Sequence, residues 1–331
     1  MNNFKKIGMT ALAASLVSTS VFAGEMTVTG SASMAMEGHS KGSELNEATS
    51  FSMGNQLTFT GGGELDNGLT VSLSFILDQG DDGPATVTDA TLDARGDSSP
   101  FDSHSVSISS DALGTLVMHG EGGSSAQAAL DTTAAGDIWD NFDGATTGTT
   151  VSSSTSGADI LVYTLPEIMD GLSVSASYSP QQGAVDSSTA YGLTYTGVEG
   201  LSVSYGKGEA TTTAAGLSSD ATTMSASYAI GSFTLAYSNN DYATDAANLD
   251  QETESYKVSY TVSDAISVSY GSEEIKLEGD SDEAEYEQLQ VAYTSGGMTV
   301  TATQQSSTDA LHGTTDLEDR DYWSLGLSFA F

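Results

Sequence analysis

The chain has 331 residues, 45 of them acidic against 8 basic, for a formal net charge of −37, and it contains no cysteine and 4 histidines. A surface of that charge repels nucleic-acid phosphates, and the lack of cysteine excludes disulfide frameworks, cysteine-ligated metal sites and thiol catalysis. No spacing ties His39, His104, His119 or His312 to a nucleophile, and no glycine-rich phosphate loop occurs, so the sequence predicts no enzyme.

At the N-terminus, Lys5 and Lys6 precede an apolar stretch from Ile7 to Val21, and Val21-Phe22-Ala23 fits a small-residue cleavage site. Residues 1–23 therefore read as a secretory signal peptide. The run is too short, and too broken by Gly8, Thr10, Ser15, Ser18 and Ser20, for a membrane-spanning helix.

From residue 24 onward the chain alternates apolar with small or hydroxyl residues, the period of a strand with two unlike faces. Leu69, Val71, Leu73, Phe75 and Leu77 alternate with Thr70, Ser72 and Ser74; Leu201, Val203 and Tyr205 alternate with Ser202 and Ser204. Ile266, Val268 and Tyr270 repeat the pattern, as do Leu289, Val291 and Tyr293. At the C-terminus Trp323, Leu325, Leu327, Phe329 and Phe331 share one face. A soluble β-sandwich and a membrane barrel both use this period. The second face here is Ser, Thr, Gly and Gln rather than mixed charge, which suits the wall of a water-filled lumen. Tyrosine recurs at the end of the apolar row, where an aromatic girdle meets lipid headgroups.

Strands are predicted near 26–37, 55–65, 68–78, 103–110, 114–121, 159–164, 171–179, 188–196, 200–208, 221–230, 232–239, 253–261, 265–273, 284–294, 298–306 and 321–331. That is sixteen, with fourteen or eighteen as the neighbouring counts. Short turns such as Asp66-Asn67-Gly68, Gly231 and Ser295-Gly296-Gly297 alternate with long polar loops. Such alternation is that of an all-β, antiparallel transmembrane barrel with short periplasmic turns and long extracellular loops.

Several segments resemble the general trimeric porins of Gram-negative outer membranes. They are Gly54-Asn55-Gln56-Leu57-Thr58-Phe59-Thr60-Gly61 with Leu65-Asp66-Asn67-Gly68-Leu69, the stretch Leu113 to Gly120, and Val162 to Glu167 followed by Gly171 to Tyr178. The terminal Phe331 resembles the signal read by the outer-membrane assembly machinery, with Trp323, Leu325, Leu327 and Phe329 in the same strand. The resemblance implies a homotrimer among outer-membrane lipids, passive diffusion of small hydrophilic solutes and ions, and a third loop folded into the pore. Residues 121–159 occupy that loop's place, and Glu121, Asp131, Asp137, Asp140 and Asp143 are its acidic candidates. The family usually opposes such acids with a ladder of arginines. Here only Arg95 and Arg320 occur, both in predicted loops, and Lys257 is the one basic side chain predicted on a lumen-facing strand position.

Further acids cluster in predicted outer loops: Asp78, Asp81, Asp82, Asp89, Asp93, Asp97 and Asp102; Glu273, Glu274, Glu278, Asp280, Asp282, Glu283 and Glu285; Asp309, Asp316, Glu318, Asp319 and Asp321. A mouth of one sign concentrates counter-ions, so a cation-preferring pore is expected. No cofactor is predicted. Gln79-Gly80-Asp81-Asp82-Gly83 and Glu278-Gly279-Asp280-Ser281-Asp282 suit loose divalent-cation association without the spacing of a calcium loop. The rival functions are a structural or adhesive outer-membrane barrel acting through its acidic loops and a soluble exported β protein.

Overall fold

The computed structural model describes residues 26–40, 49–78, 102–142, 151–181, 186–210, 218–280, 282–310 and 319–331. The strands are β1 (Thr27–Ser40), β2 (Thr49–Glu64), β3 (Thr70–Asp78), β4 (Ser103–Ser110), β5 (Gly114–Glu121), the two-residue β6 (Gly123–Ser124) and β7 (Ser156–Gly157), β8 (Ile160–Thr164), β9 (Leu172–Ser179), β10 (Ser188–Tyr195), β11 (Leu201–Ala210), β12 (Ser219–Ile230), β13 (Phe233–Thr244), β14 (Gln251–Ser263), β15 (Ile266–Leu277), β16 (Ala284–Ser295), β17 (Met298–Thr308) and β18 (Arg320–Ala330). All but β6 and β7 form one closed antiparallel barrel of sixteen strands, each paired with its neighbours in chain order. Closure leaves no unpaired sheet edge, as spanning a membrane with strands requires.

The barrel closes between β1 and β18, where Ser31 pairs with Ala330 and Ser40 with Asp321. Phe331 extends the seam. Its amide donates to the Gly30 carbonyl at 3.0 Å, and the Gly30 amide donates to the Phe331 carbonyl at 2.7 Å. A Cβ on Gly30 would lie 2.4 Å from the Phe331 ring, so the terminal aromatic packs over the missing side chain.

At one end the chain turns tightly. Gly231 (φ 59°) and Gly296 (φ 61°) each open a two-residue hairpin turn in the left-handed region that such turns require. At the other end the strands run further than the sequence alternation suggested. β2 begins at Thr49 rather than 55, and β13 and β14 extend to Thr244 and back from Gln251.

Period-two alternation sorts the side chains. On β14, Tyr256, Val258 and Tyr260 are exposed, while Gln251, Thr253 and Ser255 are buried. The outward tyrosines Tyr163, Tyr178, Tyr191, Tyr205, Tyr228, Tyr256, Tyr260, Tyr270 and Tyr293 spread over β8 to β16. Charge is not confined to the loops as expected. Asp220, Asp241, Glu252, Glu254, Glu274, Glu285 and Glu287 lie on β12–β16 at outward positions beyond the tyrosines. There the Tyr237 hydroxyl donates to Glu254 at 3.1 Å and that of Tyr270 to Glu287 at 2.7 Å. Lys276 sits within the row, 2.6 Å from Glu274.

A barrel wall one strand thick buries little apolar surface of its own, and the buried apolar cluster of the described residues lies inside the lumen. Ala135, Ile138 and Phe142 of the segment between β5 and β8 pack against Ile275, Ala284, Tyr286, Ala310 and Tyr322, with Trp139 at the side.

Candidate functional site

Of the segment between β5 and β8, the described residues 123–142 and 151–157 enter the lumen. β6 pairs with β7 at its base, Gly123 opposite Gly157. Beyond them lie 3-10 turns at Ala128–Leu130 and Ile138–Phe142. A chain crossing a lumen must satisfy its backbone groups on something other than a neighbouring strand. Inward hydroxyls and amides of the wall supply the partners. The Ala126 amide donates to Ser177 Oγ at 2.9 Å, the Ala134 amide to Ser238 Oγ at 2.8 Å and the Ala135 amide to Ser255 Oγ at 2.9 Å. Gln127 spans both ways, donating to Thr223 Oγ1 at 2.8 Å and accepting from the Ser154 amide at 2.8 Å. Asn240 donates to the Asp131 carbonyl at 2.9 Å.

Space for the loop comes from glycines on lumen-facing positions. A Cβ on Gly192 would lie 2.5 Å from the Ala126 carbonyl oxygen, one on Gly206 3.0 Å from Gln127 Cα, and one on Gly271 2.8 Å from Ala135 Cβ.

Glu273, expected among the acids of an outer loop, lies on β15, points inward and is 1% exposed. Its carboxylate accepts from the Thr133 hydroxyl and from the Trp139 amide, the latter at 3.2 Å. The signal was present in the parity: Glu273 shares the lumen face with Gly271 and Ile275. An apolar residue such as Ile275 on that face marks a wall covered by protein rather than water.

The other predicted residues separate into distinct positions. Asp137 (φ 55°) turns back on the loop and accepts from the Thr133 amide at 3.0 Å. Asp131 is half-buried beside it, and burial raises its carboxyl to about 6 against the hydrogen bond from Ser153, with the Asp137 charge adding to the rise. Asp140 is exposed on the loop. Asp143 lies outside the described residues. Lys257 does face inward, and its Nζ donates to the Ala135 carbonyl at 3.4 Å.

Glu121, grouped with the loop acids, is also the last residue of the predicted strand 114–121, and it ends β5 at a bulge opposite His104, which shares the exposed face of Val106 and Ile108; its carboxylate is 3.8 Å from His104 Nδ1. One expectation is corrected. Arg320 is not in a loop: it is the first residue of β18, and its guanidinium donates to the Phe142 carbonyl at 3.2 Å. Among the described residues no group of three or more acidic or histidine side chains converges to hold a metal ion. Of the two divalent-cation candidates, 79–83 lies outside the described residues, and in the other the Asp282 amide donates to Asp280 Oδ1 at 3.3 Å.

A closed barrel with an apolar outer face, a hydroxyl-lined interior and a loop bound to its inner wall defines the class of membrane-pore β-barrels. The sequence matches the family model described as Gram-negative porin over residues 8–293, and the chain belongs to that family. It is an outer-membrane pore protein of a family of channels rather than enzymes. Solved structures agree in fold. An anion-selective porin from Comamonas acidovorans is 16% identical, with a TM-score of 0.64 over 93% of this chain and 99% of that one. Salmonella typhi OmpF in complex with daunomycin is 13% identical, with a TM-score of 0.68 over 93% and 98%. An OmpT loop-deletion variant of Vibrio cholerae is 15% identical, with a TM-score of 0.66 over 93% and 100%. No curated protein matches the sequence.

Proposed function

We propose that the protein is a cation-preferring diffusion porin for small hydrophilic solutes, exported by cleavage after Ala23 and assembled as a homotrimer. The observation that carries the ion preference is the placement of the basic groups. Among the described residues Lys207 and Lys276 lie on outward positions, and the two inward cations, Lys257 and Arg320, are engaged by loop carbonyls. The inward positions of β2–β4 include Ser50, Ser52, Gln56, Thr58, Ser72, Ser74, Ser105 and Ser107, a wall of neutral hydroxyls and an amide. Bonds to carbonyls leave Lys257 and Arg320 charged, but Glu37, Asp78 and Glu273 at inward wall positions, with Asp131, Asp137 and Asp140 on the loop, outnumber them, so the lumen keeps a net negative sign and enriches cations. The barrel does not set that sign by its shape, since a neighbour of the same fold is described as anion-selective.

The trimer is supported by an uneven outer surface. On β18 and β1–β5 the outward described positions carry no tyrosine, and Met34 faces Met53 while Met36 faces Phe51. Phe51 is 81% exposed, the mark of a face covered by protein or lipid. Soft, unbranched methionines suit a packed contact between copies.

Single-channel current from folded protein in a planar bilayer, followed by the reversal potential in a potassium chloride gradient, tests the reading. Stepwise conductance with cation preference is expected. Anion preference would overturn the selectivity, and folded protein without steps would favour the structural or adhesive role.

A further inference from the structure

Ionisable side chains on three strands converge on residues 133–142 of the lumen loop. Glu273 on β15 takes the Thr133 hydroxyl and the Trp139 amide. Lys257 on β14 gives to the Ala135 carbonyl, and Arg320 on β18 gives to the Phe142 carbonyl. Arg320 Nε is buried without a hydrogen-bond partner, so that edge of the guanidinium is turned into the packed wall rather than toward pore water. The apolar cluster of Ile138, Phe142, Tyr286 and Tyr322 fills the space between these clamps.

We propose that Lys257 and Arg320 are positioning residues of the constriction. They hold the loop by its backbone carbonyls and fix how far it projects into the lumen, instead of facing the loop's acids across the aperture. The chemistry favours this division. A backbone carbonyl is an acceptor whose position does not depend on a rotamer, and a bond between a charged donor and a carbonyl is stronger than a neutral one. Lys257 and Arg320 act at the two ends of the Ala135–Phe142 stretch, with Glu273 binding donors at Thr133 and Trp139. The loop is thus held at both of its polarities. This inference rests on the pore reading above and assigns the loop geometry, as well as the charge balance, to these two residues.

The test is single-channel recording of Lys257→Met and Lys257→Arg, with Arg320→Met in parallel, each first checked for heat-modifiable gel mobility to establish the folded barrel. Lys257→Met is expected to change the unitary conductance and add open-channel noise, and Lys257→Arg to restore a quiet channel. A second variant separates position from charge. In the Lys257→Met background, Ala135→Cys with Ser255→Cys ties the loop residue whose amide lies 2.9 Å from Ser255 Oγ to that strand position, in a chain with no other cysteine, with formation of the crosslink checked first by thiol titration. Oxidation of that pair is expected to restore quiet conductance without restoring the charge. The proposal is overturned if Lys257→Met stays quiet at wild-type conductance and alters only the ion permeability ratio, or if the oxidised tether leaves the noise unchanged. Absence of steps in the wild-type protein would instead remove the pore reading itself.

Discussion

Replacing Glu273 by alanine isolates the anchoring of the loop from the stability of the barrel. The carboxylate is 1% exposed and accepts from the Thr133 hydroxyl and the Trp139 amide. A hydrogen bond to a charged group contributes roughly 1.5–3 kcal/mol, and a buried donor left without an acceptor costs a comparable amount. Losing both bonds, with some relaxation by entering water, gives a loss of about 3 kcal/mol in the docking of residues 133–139. At about 1.4 kcal/mol per decade, this is roughly a hundredfold rise in the population of undocked loop. The readout is a single cysteine introduced at Ala135, a position 1% exposed, challenged with a water-soluble thiol reagent in the folded barrel. Labelling in the Glu273→Ala background should be about two orders of magnitude faster when it follows the open population. The urea midpoint of the barrel should move little, because Glu273 contributes only its backbone to the strand ladder. Unchanged labelling would refute the assignment of Glu273 as the loop anchor.

Other expectations follow from the same geometry. Asp131 titrates near 6 in the folded protein, above its ordinary 3.8, so between those values the native state holds a proton that the unfolded chain has lost. Its contribution to stability is fully present below the ordinary value and is lost as pH rises through about 6. Cation preference should accordingly weaken on acidification through about pH 6, and Asp131→Asn should remove that step; a reversal potential flat with pH in the wild type would contradict it. Gly192→Val places a side chain where a Cβ already meets the Ala126 carbonyl at 2.5 Å. It should displace the base of the loop at about 1–3 kcal/mol, seen as altered conductance with the barrel's heat-modifiability intact. Met53→Arg puts a charge opposite Met34 on the tyrosine-free face. Unboiled protein should then migrate as a folded monomer, and a surviving trimer band would exclude that face from the subunit contact.

The alternating pattern specified the strands, and the hydroxyl-rich second face with the turn-and-loop rhythm pointed to a barrel rather than a sandwich. The core of each barrel strand, the count of sixteen and the sorting of most faces were legible, though not where strands such as β2, β13 and β14 end, because side chains two apart share a face and a one-residue slip would exchange lipid for lumen. Lys257 was assigned to the lumen by the same parity. What the lumen contains was not legible. Asp131, Asp137 and Asp140 read alike as loop acids, yet one is half-buried, one caps the Thr133 turn and one is exposed. Glu273 and Arg320 read as loop charge and are partners of the inserted segment instead. Glu121 follows Gly120 at the end of β5 and reads as the first residue of the loop, but a bulge in the pairing of β4 with β5 sets it opposite His104. The physical reason is range. Local alternation follows from the geometry of a single strand, whereas the partners of a loop crossing the lumen are set by contacts between segments far apart in the chain, 140 residues between Thr133 and Glu273 and 178 between Phe142 and Arg320. Only closure of the barrel brings those residues together.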